Sequence, residues 1–210
     1  LNELPIINSN FKRNNKKLKK NIITDEEILS SHILIVGGGI QGLLAASILV
    51  KAGIKVVLLE RDFILGGYFG FSGKNLKSWT NKIIADLVNY ENCKILKNTN
   101  LIFSNNENNF FALKKTYYKD QNNSLTQSYK LLRINAKHTI IATGLKERSL
   151  PNLKTNKSNI FLASEVCQLI NRFGLSIPNG IVLYTNNNFG WDTALNLLSL
   201  GVEIRAIIDT

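Results

Sequence analysis

The chain has 210 residues, room for one large domain or parts of two, with 26 Lys and Arg against 15 Asp and Glu and a formal net charge of +11. Its apolar runs stay short of the ~18 residues that span a bilayer and no signal peptide is visible, so no membrane partner is expected. The two cysteines, Cys93 and Cys167, lie far apart and form no CxxC, which argues against a zinc ribbon or redox disulfide and fits a reducing, cytoplasmic setting.

Residues 1–30 lack apolar periodicity and are rich in Asn and Lys. They read as a linker, with one short helical turn at Asp25 to Leu29. Lysines concentrate from Lys12 to Lys20 without interleaved aromatics or a recognisable nucleic-acid module, so a solvated segment is expected there and no nucleic-acid partner. With 28 asparagines in the chain, the excess of Lys, Asn and Ile reflects a biased coding composition rather than a binding surface. There is no methionine, and Ile204 to Thr210 is a strand-like run; the expectation is a piece of a longer polypeptide.

The most informative stretch follows. Four apolar residues, Ile33 to Val36, run into Gly37-Gly38-Gly39-Ile40-Gln41-Gly42, the pattern GxGxxG. A helical stretch continues to about Ala52, and a second strand-like run, Lys55 to Leu59, ends in Glu60. Strand, tight turn, helix and strand make a βαβ unit whose first turn is suited to a pyrophosphate. Gly37 permits the turn, Gly39 lets backbone approach phosphate, and Gly42 lets helix and strand pack closely. Gly38 is redundant to the pattern. The helix N-terminus adds unpaired N–H groups and the positive end of a dipole. Glu60, 23 residues after Gly37, is placed for a ribose diol and would repel the 2′-phosphate of NADP.

Gly66-Gly67 then forms a glycine pair able to pass close to the cofactor phosphates. Leu76, Trp79, Ile83, Ile84, Leu87 and Val88 recur at helical spacing and predict a helix packed on the sheet. Lys94 to Leu96 is a short third strand. Runs at Leu101–Ser104, Asn109–Tyr118 and Leu125–Ile134, separated by Asn-rich turns, predict an antiparallel meander. It leads into His138 to Gly144, a strand ending Ala142-Thr143-Gly144. His32 and His138 fall at strand starts and carry no chemistry in this reading. No Ser/His/Asp set, metal cluster or paired carboxylates stand out, so no catalytic residue is assigned.

A second copy of the opening unit lies near the end. Ile181 to Tyr184 reads as a strand, Trp191 to Leu200 as a helix capped by Gly201, and Val202 to Ile208 as the next strand, with Asp209 after it. An offset of 148 residues superimposes Gly190 on Gly42, Thr185 on Gly37 and Asn187 on Gly39. The packing glycine is kept while the two serving turn and phosphate are lost. Asn187 can adopt a left-handed conformation, but its side chain would crowd a pyrophosphate. Asp209 falls one position beyond the counterpart of Glu60. The second unit is expected to keep the fold without the ligand.

The chain thus reads as α/β: a linker at 1–30, a Rossmann-like dinucleotide-binding domain at 31–150 with a meander at about 101–137, and the truncated start of a second, degenerate Rossmann-like unit at 151–210. This order resembles the flavoprotein reductases with two dinucleotide-binding domains, in which the first GxGxxG, the ribose Glu, the Gly-Gly pair and the Ala-Thr-Gly strand line one cofactor site. A thioredoxin-reductase-like enzyme would add FAD in the first site, a nicotinamide cofactor in the second and a CxxC relay, which Cys167 alone cannot form. Ala142 to Arg148, Ile160 to Val166 and Leu169 to Gly174, with the degenerate Thr185-Asn186-Asn187 turn, are similar to the alpha subunits of heterotetrameric sarcosine oxidases over roughly residues 30–210. Opine oxidases and hydrogen cyanide synthase share much of this layout.

That resemblance implies an internal piece of a large subunit in a hetero-oligomeric oxidase that demethylates sarcosine. The alpha subunit there holds NAD without turning it over, while FAD in the beta subunit and FMN at the subunit interface carry the chemistry. It also implies that Gly37, Gly39, Gly42, Glu60, Gly67, Thr143 and Gly144 line the NAD site, with Leu101 a candidate for backbone contact with adenine. A ribose Glu serves either adenosine half, so FAD stays open as the alternative dinucleotide.

Overall fold

The computed structural model describes residues 23–67, 74–105, 107–119, 125–148, 159–177 and 180–210. Its principal sheet has six strands in the order β3-β2-β1-β6-β5-β4. The strands are β1 (Ile23–Val36), β2 (Val56–Leu59), β3 (Cys93–Leu96), β4 (Thr99–Ser104), β5 (Asn109–Lys119) and β6 (Leu125–Ile141). β3, β2, β1 and β6 run parallel; β5 and β4 continue antiparallel. Helices α1 (Ile40–Lys51) and α2 (Lys74–Val88) provide the crossovers. This is the Rossmann-like half expected, with the meander attached to its sheet.

β2 is buried at every position because both its faces are covered. On one side Ile35, Val56 and Leu58 pack with Leu43, Ala46 and Val50 of α1 and Leu87 of α2. On the other, Leu34, Val57, Leu59 and Leu96 meet Ala112, Leu132, Ile134 and Ala136. The face of α2 that turns inward is therefore Thr80, Ile83, Ile84 and Leu87. Of the others expected on that face, Val88 is largely exposed, Trp79 is 40% exposed, and the side chain of Leu76 lies outside the described residues. Asn92 holds the outer end of the unit together, its side-chain amide donating to the carbonyls of Val50 and Ile54 at 3.0 Å each.

Two expectations change. The expected linker at 1–30, with its helical turn at Asp25 to Leu29, gives way to strand from Ile23 onward. Also, the third run of the meander and the Ala-Thr-Gly strand form one 17-residue β6. The two corrections have one cause: a long β6 offers a parallel partner to the first half of β1, with Asp25 opposite Lys130 and Ile28 opposite Arg133. Cross-strand pairing outweighs a weak local pattern. Charge follows the pairing, since Glu27 meets both Lys94 (2.6 Å) and Lys130 (3.0 Å). Hydrogen bonds to these lysines hold its carboxyl below the usual range. His32 and His138 consequently sit inside β1 and β6 rather than at strand starts.

The C-terminal unit is separate in its pairing: β7 (Ile181–Thr185) and β8 (Ile204–Asp209) form a parallel two-stranded sheet around α4 (Asn188–Ser199). An additional helix, α3 (Ala163–Phe173), packs Cys167, Val166 and Ile170 against Ala194 and Leu197 of α4. It had no counterpart in the expected elements, although Val166, Cys167 and Ile170 at helical spacing and the left-handed Gly174 at its C-cap were its signals. The expected boundary at 150/151 lies outside the described residues. Among those residues, no helix is long and apolar enough to cross a membrane.

Candidate dinucleotide-binding site

The site is built where β1, β2 and β6 end at the carboxyl edge of the parallel sheet, where open α/β folds bind ligands. β1 ends at Val36 and the chain turns through Gly37, whose φ of +110° disfavours any side chain. A Cβ on Gly37 would also overlap the carbonyl of Ala142, because β6 passes directly alongside, with Ala142 N–H donating to the Val36 carbonyl at 2.8 Å. One on Gly42 would overlap the carbonyl of Gly37, so this glycine presses the helix onto the turn itself. Gly39 differs: a Cβ there meets nothing within 4 Å. Among the described residues, the space that a side chain at position 39 would take, beside the α1 N-terminus, is open.

That space borders the start of a helix. Gly39 is the N-cap of α1 and supplies no side-chain cap, so among the described residues the first-turn N–H groups have no capping side chain. Together with the helix dipole they make an anion seat. A second glycine loop closes over it: Gly66 N–H donates to the Gly38 carbonyl at 2.7 Å, and a Cβ on Gly67 would come within 3.3 Å of the Gly39 Cα. A side chain at position 67 would therefore crowd the turn, and the φ of +58° there already disfavours one.

Glu60 follows the last residue of β2. Its Oε2 accepts the Gly38 N–H and its Oε1 the Asp62 N–H, both at 2.7 Å. The carboxylate is thus oriented before any ligand arrives, and each oxygen keeps a lone pair for a further donor. The contact also explains Gly38, which had looked redundant: a Cβ there would strike Leu65 Cδ2 at 2.5 Å and crowd the Glu60 side chain at 3.1 Å. Leu65, buried beneath the turn, is a supporting residue that the motif did not reveal.

Thr143 and Gly144 continue from β6 past Gly37; the Thr143 Cα lies 3.1 Å from where a Gly37 Cβ would stand. Gly37, Gly39, Gly42, Glu60, Gly67 and Thr143 therefore belong to one neighbourhood, with Gly144 the next residue along. Leu101 is placed differently. It pairs with Ala112 of β5 and packs its side chain against the core. Its strand starts at Thr99, whose N–H donates to the Glu60 carbonyl at 2.8 Å, so β4 departs from the acid without bringing the Leu101 side chain to it. Glu147, three residues after Gly144, accepts the N–H groups of Ala163 (3.2 Å) and Ser164 (2.8 Å), capping α3 rather than facing the site.

The second turn is closed by its own residues. Thr185 Oγ donates to the Asn187 carbonyl at 2.9 Å, and Asn187 Oδ1 accepts the Phe189 N–H at 3.0 Å, capping α4. Asn187 is extended (φ −161°), correcting the left-handed conformation considered for it. Asp209 accepts from Trp191 Nε1 at 2.9 Å, so its carboxylate is engaged by α4 instead of the turn.

Comparison with known proteins agrees with this architecture. The chain is 25% identical over 185 residues to sarcosine oxidase subunit alpha of Rhizobium meliloti (strain 1021), and 26% identical over 193 residues to that of Corynebacterium sp. (strain P-1). These alignments cover 85% and 88% of the chain but 19% and 20% of the relatives, so the chain spans about a fifth of their length. Among solved structures, L-proline dehydrogenase from P. horikoshii matches with a TM-score of 0.62 at 21% identity, covering 88% of this chain and 36% of that one. Thioredoxin reductase from T. acidophilum matches with 0.56 at 17% identity, covering 86% and 55%. At such identities these structures speak for the fold alone. The family model described as FAD dependent oxidoreductase matches residues 32–153, which include both glycine loops, Glu60 and the Ala142–Gly144 segment. The chain belongs to the FAD dependent oxidoreductase family.

Proposed function

We propose that this chain is the dinucleotide-holding part of an amine-oxidising, sarcosine oxidase-like complex, with NAD in the Gly37–Gly42 cradle. The observation that carries the reading is the open, uncapped α1 N-terminus beside a pre-oriented Glu60. First-turn N–H groups of α1 would take the pyrophosphate, Glu60 the ribose diol, and Gly67, Thr143 and Gly144 the flanks of the cofactor. Leu101 would lie near the adenine only through its backbone. In this reading the dinucleotide would be held without being turned over; these residues would bind and orient it, and none of them is placed to move a proton to or from a substrate. The chemistry on sarcosine, the use of oxygen, and the FAD and FMN that serve it belong to the rest of a hetero-oligomeric assembly in this reading, with a cytoplasmic location. The proposed limits are a nucleotide domain ending near residue 150 and a second unit from 151 onward.

A second reading puts FAD in the same cradle, favoured by the family match over residues 32–153. Releasing the cofactors from the purified full-length protein and identifying them separates the two. Stoichiometric NAD alongside flavin supports the first reading. FAD as the sole dinucleotide of this subunit overturns it in favour of the second, and no dinucleotide at all overturns both.

A further inference from the structure

The meander carries a surface that the nucleotide site does not use. Strands β4, β5 and β6 contain six lysines and arginines and no acidic residue; Lys114 and Lys130 alternate onto the core side, where Lys130 is paired with Asp25 and Glu27, which leaves Lys115, Lys119, Arg133 and Lys137 to the outer face. Ala112, Leu132 and Ile134 face the core. Strand alternation therefore turns Phe111, Lys115, Tyr117, Tyr129 and Arg133 to the opposite face. Register aligns them there: Phe103 opposite Phe111, Phe111 opposite Arg133, and Lys115 opposite Tyr129. Phe103 is 59% exposed and Tyr117 55%.

These side chains are organised on the surface. Phe103 and Phe111 pack with ring centroids 5.9 Å apart, the Arg133 guanidinium lies 5.7 Å from the Phe111 ring, and the Lys115 ammonium lies 5.4 Å from the Tyr117 ring. Each cation is held over an aromatic face, the arrangement of a cation–π pair. Ordering arginine, tyrosine and phenylalanine in advance lowers the cost of immobilising them on association, and these are residue types favoured at protein interfaces. The charge also decides what the face suits. Cations on strands that carry no carboxylate of their own suit an acidic partner. A carboxylate can accept from the guanidinium of Arg133, which is exposed, and pair with the ammonium of Lys115 beside it.

We propose that the outer face of β4, β5 and β6 docks an acidic surface of another protein subunit, by charge complementarity around the Phe103–Phe111–Arg133 cluster. The proposal rests on the hetero-oligomeric assembly proposed above. It is tested on the full-length protein, tagged and co-expressed with the subunits that copurify with it, comparing wild type with the Lys115→Glu/Arg133→Glu double variant. A Lys51→Glu/Lys82→Glu variant makes the same change of net charge on exposed helix positions elsewhere. The expected result is subunit association weakened roughly 10- to 100-fold in the first variant, salt-sensitive in wild type, and unchanged in the second. Retained dinucleotide content checks the fold; should the double variant not fold, Phe103→Ser tests the same face. Equal assembly of wild type and the charge-reversed protein overturns the docking surface and leaves the amine-oxidase reading standing. A full-length protein that purifies with no partner overturns both. Single-stranded RNA binding that disappears in the double variant, with assembly intact, overturns the proposal by assigning the face to nucleic acid.

Discussion

The Gly37–Gly42 and Thr185–Gly190 turns occupy equivalent places in two βαβ units, and they solve the same helix-end problem in opposite ways. At both, a strand delivers the chain to a helix whose first N–H groups have no intrahelical partner. At the second turn Asn187 caps α4 and Thr185 Oγ ties the loop to itself. At the first, Gly39 caps nothing, and Glu60 reaches into the turn to accept the Gly38 N–H. A self-satisfied helix end has less to offer a phosphate; an unsatisfied one is stabilised by it. The packing glycine is needed in both because it serves the helix–turn contact: a Cβ would overlap the Gly37 carbonyl at Gly42 and the Thr185 side chain at Gly190.

Substitutions at matched positions can break this contrast. The largest effect is expected for Gly37→Ala, which combines a positive φ with overlap of the Ala142 carbonyl and should cost about 3 kcal/mol or more of stability. Thermal unfolding of the full-length protein measures it, and a melting temperature within a degree or two of wild type would mean the turn relaxes freely. Thr185→Ala should cost less, since Thr185 needs no left-handed backbone.

Gly39→Ala and Glu60→Ala come next, with effects of similar size. The φ of −72° at Gly39 suits alanine and the added methyl meets no protein atom, so the fold should be unchanged. Binding of the dinucleotide should weaken by about 1–3 kcal/mol, roughly 5- to 150-fold, because the methyl fills space proposed for phosphate. Titration of cofactor-stripped protein reads this directly; unaltered affinity would place the phosphates elsewhere.

Glu60→Ala is expected to lose about 1.5–3 kcal/mol of dinucleotide affinity, the range for hydrogen bonds to a charged group, whereas Asp209→Ala should leave affinity as it was. Equal losses at the two acids would erase the distinction between the units. Smallest is Asn187→Ala, which removes the α4 cap and should cost ~1 kcal/mol of stability without touching cofactor content. A change in dinucleotide occupancy in that variant would show that the second turn takes part in binding after all.

The parts of this protein legible in the amino-acid sequence are those where local geometry and residue choice coincide. GxGxxG names a turn, a helix start and a close contact at once, and Glu60 at the end of an apolar run needs no knowledge of the rest of the chain. The degeneracy of Thr185 and Asn187 was equally legible, because losing glycine there changes what the backbone can approach. Other features depend on partners distant in sequence. The strand character of residues 23–30 arises from pairing with Tyr129 to Asn135, about a hundred positions away, and local composition pointed to a linker. The purpose of Gly38 required Leu65 and the Glu60 carboxylate to be seen against it. Glu147 became a helix cap only once α3 was placed beside it. Sequence alone determined which turn keeps the glycines that leave its helix end open, since φ and Cβ volume are properties of single residues. Tertiary structure decided how that turn is held and what the meander presents outward, since both depend on strands brought together from far apart.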